Sequence, residues 1–209
     1  MTPLRLLLLA VASTLLSAQA LAADPKAPAR AGPPTPSVDA SKMPPELKAW
    51  VAAGTPGEFH AALARLAGSY TVESTFWAGP GDATLTSKAS CDFTLILGGR
   101  FLKQDFKGSM MGQPFEGLGL FGYDTVKKRF VSAWMDSMST QRLDFEGLCK
   151  DKGCTVIELK ADYKDPLTGK RRRSRSLYLE REGKPVMQMF DTDKRGREFK
   201  SLELVYTRR

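Results

Sequence analysis

Histidine is almost missing from this chain: the 209 residues hold one, His60. A lone imidazole rules out a multi-histidine metal site and leaves a Ser-His-Asp hydrolase without support, the more so because no G-x-S-x-G elbow occurs. Nor is His60 placed as an axial haem ligand: in phase with neither Phe59 nor Leu63, it reads as a residue on a helix surface. No metal and no cofactor is therefore expected. Cysteine is scarce, with three residues. Long apolar runs are scarce as well. Beyond residue 22 none approaches the about 20 residues of a membrane-spanning helix. The arginines have no aromatic stacking motif beside them, which argues against nucleic acid as a partner.

What is present begins with a leader. Residues 1–22 run from Arg5 through "LLLLAVASTLL" to Ala20-Leu21-Ala22, the layout of a secretory signal peptide cut after Ala22. A periplasmic or secreted location follows from it. The formal net charge of +8 is modest and is ordinarily solvated surface, although it also suits acidic lipid headgroups. Residues 23–42, "ADPKAPARAGPPTPSVDASK", are rich in Pro and Ala without an apolar period, and read as a flexible linker. One domain, residues 43–209, takes up the rest.

That domain opens with two short helices. Pro44 and Pro45 introduce the first, which Gly54 ends. In "TPGEFHAALARLAG" Thr55 is placed to cap the second, with Pro56 at its first position and Phe59, Leu63 and Leu66 on one face. From Ser69 onward the period becomes that of strands. About ten segments alternate, from "SYTVESTFW" to "REFKSLELVYT", separated by turns such as "LGG", "DPLTGK", "EGKP" and "DKRG". Such a meander predicts an all-β antiparallel barrel closed on itself, with a two-layer sandwich as the alternative.

Several side chains are candidates for a site inside the barrel. Along "PFEGLGLFGYD", Phe115, Gly117, Gly119, Phe121 and Tyr123 share one face, so glycines alternate with aromatics. Such glycines let a strand bend or let a ring lie over bare backbone, and the functional reading is that they leave room for a ligand. Trp134, Met135 and Phe121 are taken as its apolar wall, with Tyr123 on the same face as Phe121. Asp136, in phase with Trp134 and Ser132, sets a carboxylate beside that wall. In "GKRRRSRSLYLE", counting back from Leu177 and Leu179 points Arg175 inward, where a guanidinium must pair or meet an anion. Arg171 and Arg173 read as a solvated strand end. Arg100 is the second candidate to fix a polar head. Asp124 caps the turn after "GYD". Cys149 and Cys154 bracket "KDKG" and are expected to form a disulfide across a tight turn in an oxidising compartment, leaving Cys91 buried.

The opening "PGEFHAALARLAGSYTVESTFW", with "LGGRFL", "PFEGLGLFGYD" and "WMDSMST", resembles the bacterial family known as domain of unknown function 1579. The resemblance runs from Pro45 to the C-terminus. It implies a lipocalin-like, calycin-type barrel and supplies no activity and no catalytic residue. Three functions fit these residues: a module binding a small apolar or anionic amphiphile, a hydrolase or isomerase using the same cavity, and a non-catalytic envelope protein touching an anionic membrane through its linker and basic strand end. Oligomeric state is not legible.

Overall fold

The structure, a computed structural model, describes residues 43–209 apart from 111 and 167. The expected leader and linker lie outside the described residues. Two helices, α1 (Pro45–Ala53) and α2 (Glu58–Ala64), precede ten strands: β1 (Gly68–Trp77), β2 (Thr84–Ile96), β3 (Phe101–Met110), β4 (Gln113–Asp124), β5 (Arg129–Asp136), β6 (Ser139–Cys149), β7 (Ile157–Lys164), β8 (Arg171–Arg181), β9 (Lys184–Thr192) and β10 (Glu198–Arg208). Each strand pairs antiparallel with its neighbours in chain order, and β1 also pairs with β10, from Tyr70 opposite Arg208 to Phe76 opposite Leu202. The sheet is thus a closed barrel and not a sandwich, in agreement with the lipocalin-like form. Closure leaves no strand with an unpaired edge.

Alternation decides what the lumen holds. Tyr70 and Val72 of β1, Cys91 and Phe93 of β2, and Leu102, Gln104 and Phe106 of β3 are buried, while the residues between them are not. Hairpin succession sends alternate connections to opposite ends. The helices lie with the β2–β3, β4–β5, β6–β7 and β8–β9 connections at one end, here the helical end; the other five connections form the far end.

Helix α2 plugs the helical end against β3 and β4. Phe59 stacks on Tyr123 at 4.3 Å between ring centroids, Tyr123 meets Phe130 edge-on at 5.1 Å, and Leu63 is buried. His60 departs from its expected surface position. It is buried, its Nδ1 accepts the Gly57 amide at 3.0 Å, and the ring donates to the Tyr123 carbonyl. The imidazole therefore serves as the N-terminal cap of α2 and ties it to β4. Thr55 does not cap this helix: its hydroxyl donates back to Val51 of α1 at 2.6 Å. No residue of α1 is buried. Its C-terminus is fastened by Arg100 Nε on the Gly54 carbonyl at 2.7 Å and Thr125 Oγ1 on the Ala53 carbonyl at 2.6 Å.

The disulfide links Cys149, the last residue of β6, to Cys154 in the following connection, with the Cα atoms 4.9 Å apart. Cys91 is free and fully buried. Burial pushes its thiol up to about 12, so it packs as a small hydrophobe and not as a nucleophile. Asp124 accepts the Val126 and Lys127 amides, both at 2.9 Å, and caps its turn.

Candidate functional site

Aromatic rings fill the middle of the barrel. Tyr70 contacts Phe93 and Tyr206 at 5.9 and 5.8 Å, Phe93 contacts Phe121 at 6.3 Å, and Phe121 contacts Tyr178 at 5.3 Å. Gln104 donates to the Tyr206 hydroxyl at 3.4 Å, and burial drives the phenols of Tyr178 and Tyr206 well above their ordinary range. Between this layer and α2 the free space bounded by Leu63, Phe121, Phe130, Ile157, Leu159 and Tyr178 is about 10 Å³, room for at most one water. The deep ligand cavity expected from the glycines is absent here. The bare backbone is already covered: a Cβ on Gly117 would collide with the Trp134 ring, and one on Gly119 would lie 2.9 Å from Gln104 Oε1 and 3.0 Å from Phe121. The glycines admit the protein's own rings.

The far end is different. Phe76 and Leu85 face each other across β1 and β2, and both, like Met110 of β3, stand on the inward face. Yet they are 41%, 58% and 39% exposed, where Tyr70, Phe93 and Leu102, deeper on the same three strands, are buried. Across the mouth, on β7 to β9, lies a polar corner. Tyr163 of β7 and Arg172 of β8 are register partners on the inward face, and the Tyr163 hydroxyl bonds to Asp191 of β9. Burial, together with the Asp191 charge, raises the Tyr163 phenol, which keeps it a donor. Asp191 Oδ1 is buried and has no hydrogen-bond partner among the described residues. Arg172 is already engaged, donating to buried Asp165 at 3.1 Å and to the Thr192 carbonyl at 2.7 Å. On the adjoining wall Trp134 Nε1 donates to Asp136 Oδ2 at 2.8 Å, and Phe106 touches Trp134 edge-on at 6.3 Å.

The structure thus divides the expected site residues. Trp134, Asp136, Phe121 and Tyr123 face the lumen, Trp134 and Asp136 in the far half, Phe121 in the packed middle and Tyr123 under α2. Met135 alternates with Trp134, pairs with Leu118, and lies on the outer surface instead of the wall. Arg100 is at the helical end, holding α1. Arg175 is the main correction: Ser174, Ser176 and Tyr178 point inward, so Arg175 points out. There it pairs with Glu198 at 2.6 Å and Glu158 at 3.6 Å and lies over the Phe190 ring at 4.0 Å. The serines are small because large rings from other walls occupy the lumen, and that inverted the phase read from the leucines. Arg171 and Arg173 are exposed, as expected, and both pair with Asp162.

Tyr163, Arg172 and Asp191 escaped the sequence reading. Their signal was phase: Tyr163 continues Ile157, Leu159 and Ala161, and Asp191 continues Met187 and Met189. Among the described residues no set of three or more His, Cys, Asp or Glu gathers as a metal site.

No curated protein matches the sequence. Residues 55–208 match the family described as a protein of unknown function (DUF1579), a span that takes in most of the chain and the whole barrel up to Arg208, and the chain belongs to that family.

Proposed function

We propose that this protein is a non-catalytic binding module of an oxidising, extracytoplasmic compartment, and that it holds the apolar part of a small molecule in the far-end mouth. The exposure of Phe76, Leu85 and Met110 on the inward face carries this reading: large apolar side chains left in water around a concave rim gain by covering. The leader layout and the Cys149–Cys154 bridge support the compartment.

Mouth chemistry also selects the head group. Arg175, expected to meet an anion, faces away, and Arg172 is occupied by Asp165. Asp136 already accepts from Trp134 and from the Met138 amide, and Asp191 keeps an open carboxylate oxygen, so a carboxylate or phosphate head would meet like charge. Asp191 Oδ1 wants a donor. A neutral or cationic head, a hydroxyl or an amine, answers it. The alternative of hydrolysis or isomerisation lacks its one imidazole, which is buried under α2 at the opposite end.

The test is titration with a long-chain alcohol, amine and fatty acid of equal length, followed by fluorescence quenching. The alcohol and amine are expected to bind about tenfold more tightly than the acid, one lost charge-compatible hydrogen bond being worth roughly 1.5 kcal/mol. Asp191→Asn narrows that preference, and Leu85→Asp abolishes binding at an unchanged unfolding midpoint. Equal binding by all three probes, or binding indifferent to Leu85→Asp, overturns the site.

A further inference from the structure

At the helical end, α1 turns an apolar stripe to water. Leu47, Trp50 and Val51, spaced i, i+3, i+4, are 48%, 79% and 46% exposed. The two turns that fasten α1 add two more apolar tips: Leu97, whose carbonyl accepts from the same Arg100 that holds Gly54, is 68% exposed, and Val126, next to Thr125, is 77% exposed. Three separate segments therefore bring five large apolar side chains to one end and leave them uncovered. Side chains this exposed stand out from the surface and do not wall a groove for a peptide.

Charge at this end is of one dominant sign. Its connections carry Arg100, Lys127, Lys128, Lys150 and Lys152 against Asp151 and Glu182, while the described N-terminal stretch balances Glu46 and Glu58 with Lys48 and Arg65. Lys127 shares Glu146 with Arg129, Lys150 pairs with Glu158 at 3.6 Å, and Asp151 is turned onto the Thr155 and Val156 amides, so Lys128 and Lys152 dominate the field outward. An exposed tryptophan among aliphatic tips with lysines beside them suits the boundary between water and acyl chains, where indole is favoured and anionic headgroups attract the ammonium groups.

We propose that the helical end docks on an anionic lipid surface, with Leu47, Trp50, Val51, Leu97 and Val126 entering the headgroup layer. The membrane contact expected from the basic strand end thereby moves to the other end of the barrel, where the exposed apolar tips stand, while Arg171 and Arg173 share the Asp162 carboxylate. This orientation leaves the far-end mouth facing away from the bilayer, and it does not depend on that mouth binding anything.

The experiment uses the chain from Ala23 onward, which keeps the whole described fold and lacks the apolar run of the leader. It is sedimented with vesicles of phosphatidylcholine alone and of equimolar phosphatidylcholine and phosphatidylglycerol. Binding is expected only to the second, with loss at high salt as the lysines are screened. Trp50→Ser combined with Val126→Asp weakens it by about tenfold or more, the interfacial burial of two apolar side chains exceeding the 1.4 kcal/mol that a tenfold change represents. Lys128→Glu with Lys152→Glu has a similar effect, and Leu85→Asp at the far end has none. All these positions are exposed, and unchanged unfolding midpoints verify that the fold is kept. Binding to neither vesicle, equal binding to both, or binding untouched by the Trp50/Val126 variant overturns the proposal. A dimer in solution that the same variant dissociates, without vesicle binding, assigns the face to a second copy instead.

Discussion

Gly147 of β6 shows how little tolerance single positions in the closed sheet have. It sits between Phe130 and Leu159 in register, and a Cβ there would overlap the main-chain carbonyl of Glu158. Backbone cannot rotate away as a side chain can, so Gly147→Ala is expected to cost about 3 kcal/mol or more. Gly153→Ala, whose added atom meets Thr155 Cγ2 at 3.4 Å and Asp151 Oδ1 at 3.5 Å, both near ordinary contact, should stay within about 0.5 kcal/mol. Urea unfolding of the two variants checks the contrast, and similar midpoints would refute the close approach. Residue-level reading of the sequence worked where a side chain acts locally, as for Asp124, whose amide partners lie two and three residues on. It failed at Arg175, where the deciding fact was the size of rings from facing strands. Leu177 and Leu179 suggested an interior that Ser174 and Ser176 in fact line.

Elements were more legible than the residues on them, because the period of a strand survives errors at its ends. "RFVSAWMDS" and "PVMQMFDT" fall within one residue of β5 and β9, whereas β2 starts at Thr84, five residues before its alternation becomes visible, since "TLTSK" is exposed throughout. The cap of α2 was misread because an imidazole three residues into the helix replaced the hydroxyl expected at Thr55. That replacement makes the element pH-sensitive. Burial, the larger influence, and the nearby Arg100 charge lower the His60 pKa below 6.5, outweighing the bond to the Tyr123 carbonyl. In acid the unfolded chain therefore binds the proton more readily. The stability His60 contributes is complete above 6.5 and is lost as pH falls through its lower folded value. The urea midpoint should drop as pH falls below 6.5 in the native chain and stay level in His60→Asn, whose own midpoint at neutral pH is lower. Glu203 titrates in a separate window. Partial burial pushes it up, but hydrogen bonds from Arg181, Lys200 and Gln188 hold it down to about 2, so its contribution is present above 4.5 and fades only in stronger acid. A midpoint in His60→Asn that falls as steeply as in the native chain would show that the imidazole is not the sensor.

The whole molecule has two unlike ends because an even number of strands in chain order sends both termini of the sheet to one end. β1 begins and β10 finishes beside the helices, leaving the other rim to five hairpin connections. About ten alternating segments in the sequence pointed to a closed barrel but left the sandwich open as the alternative, and the filling of the lumen was not legible, since it depends on which rings meet across the barrel. The bond that completes the molecule is the pairing of β1 with β10, the first and last strands, which also brings Leu204 and Tyr206 into the core and sets Arg208 Nη2 2.9 Å from the Tyr70 hydroxyl. The five-residue disulfide spacing at Cys149–Cys154 closes too short a loop to substitute for it, contributing about 2 kcal/mol on loop-entropy grounds. Reduction should accordingly lower the unfolding midpoint while leaving the chain monodisperse. Removal of residues 198–209 should do something else. It strips β1 and β9 of a partner at once, exposes two rows of backbone donors and acceptors, and takes two buried side chains from the aromatic layer. The expected product retains strand signal by circular dichroism but elutes as oligomers, through edge-to-edge pairing of opened barrels. A truncated chain that remains monomeric with a cooperative unfolding transition would mean that the nine-stranded sheet closes without β10, and that the terminal pairing is not what holds the barrel shut.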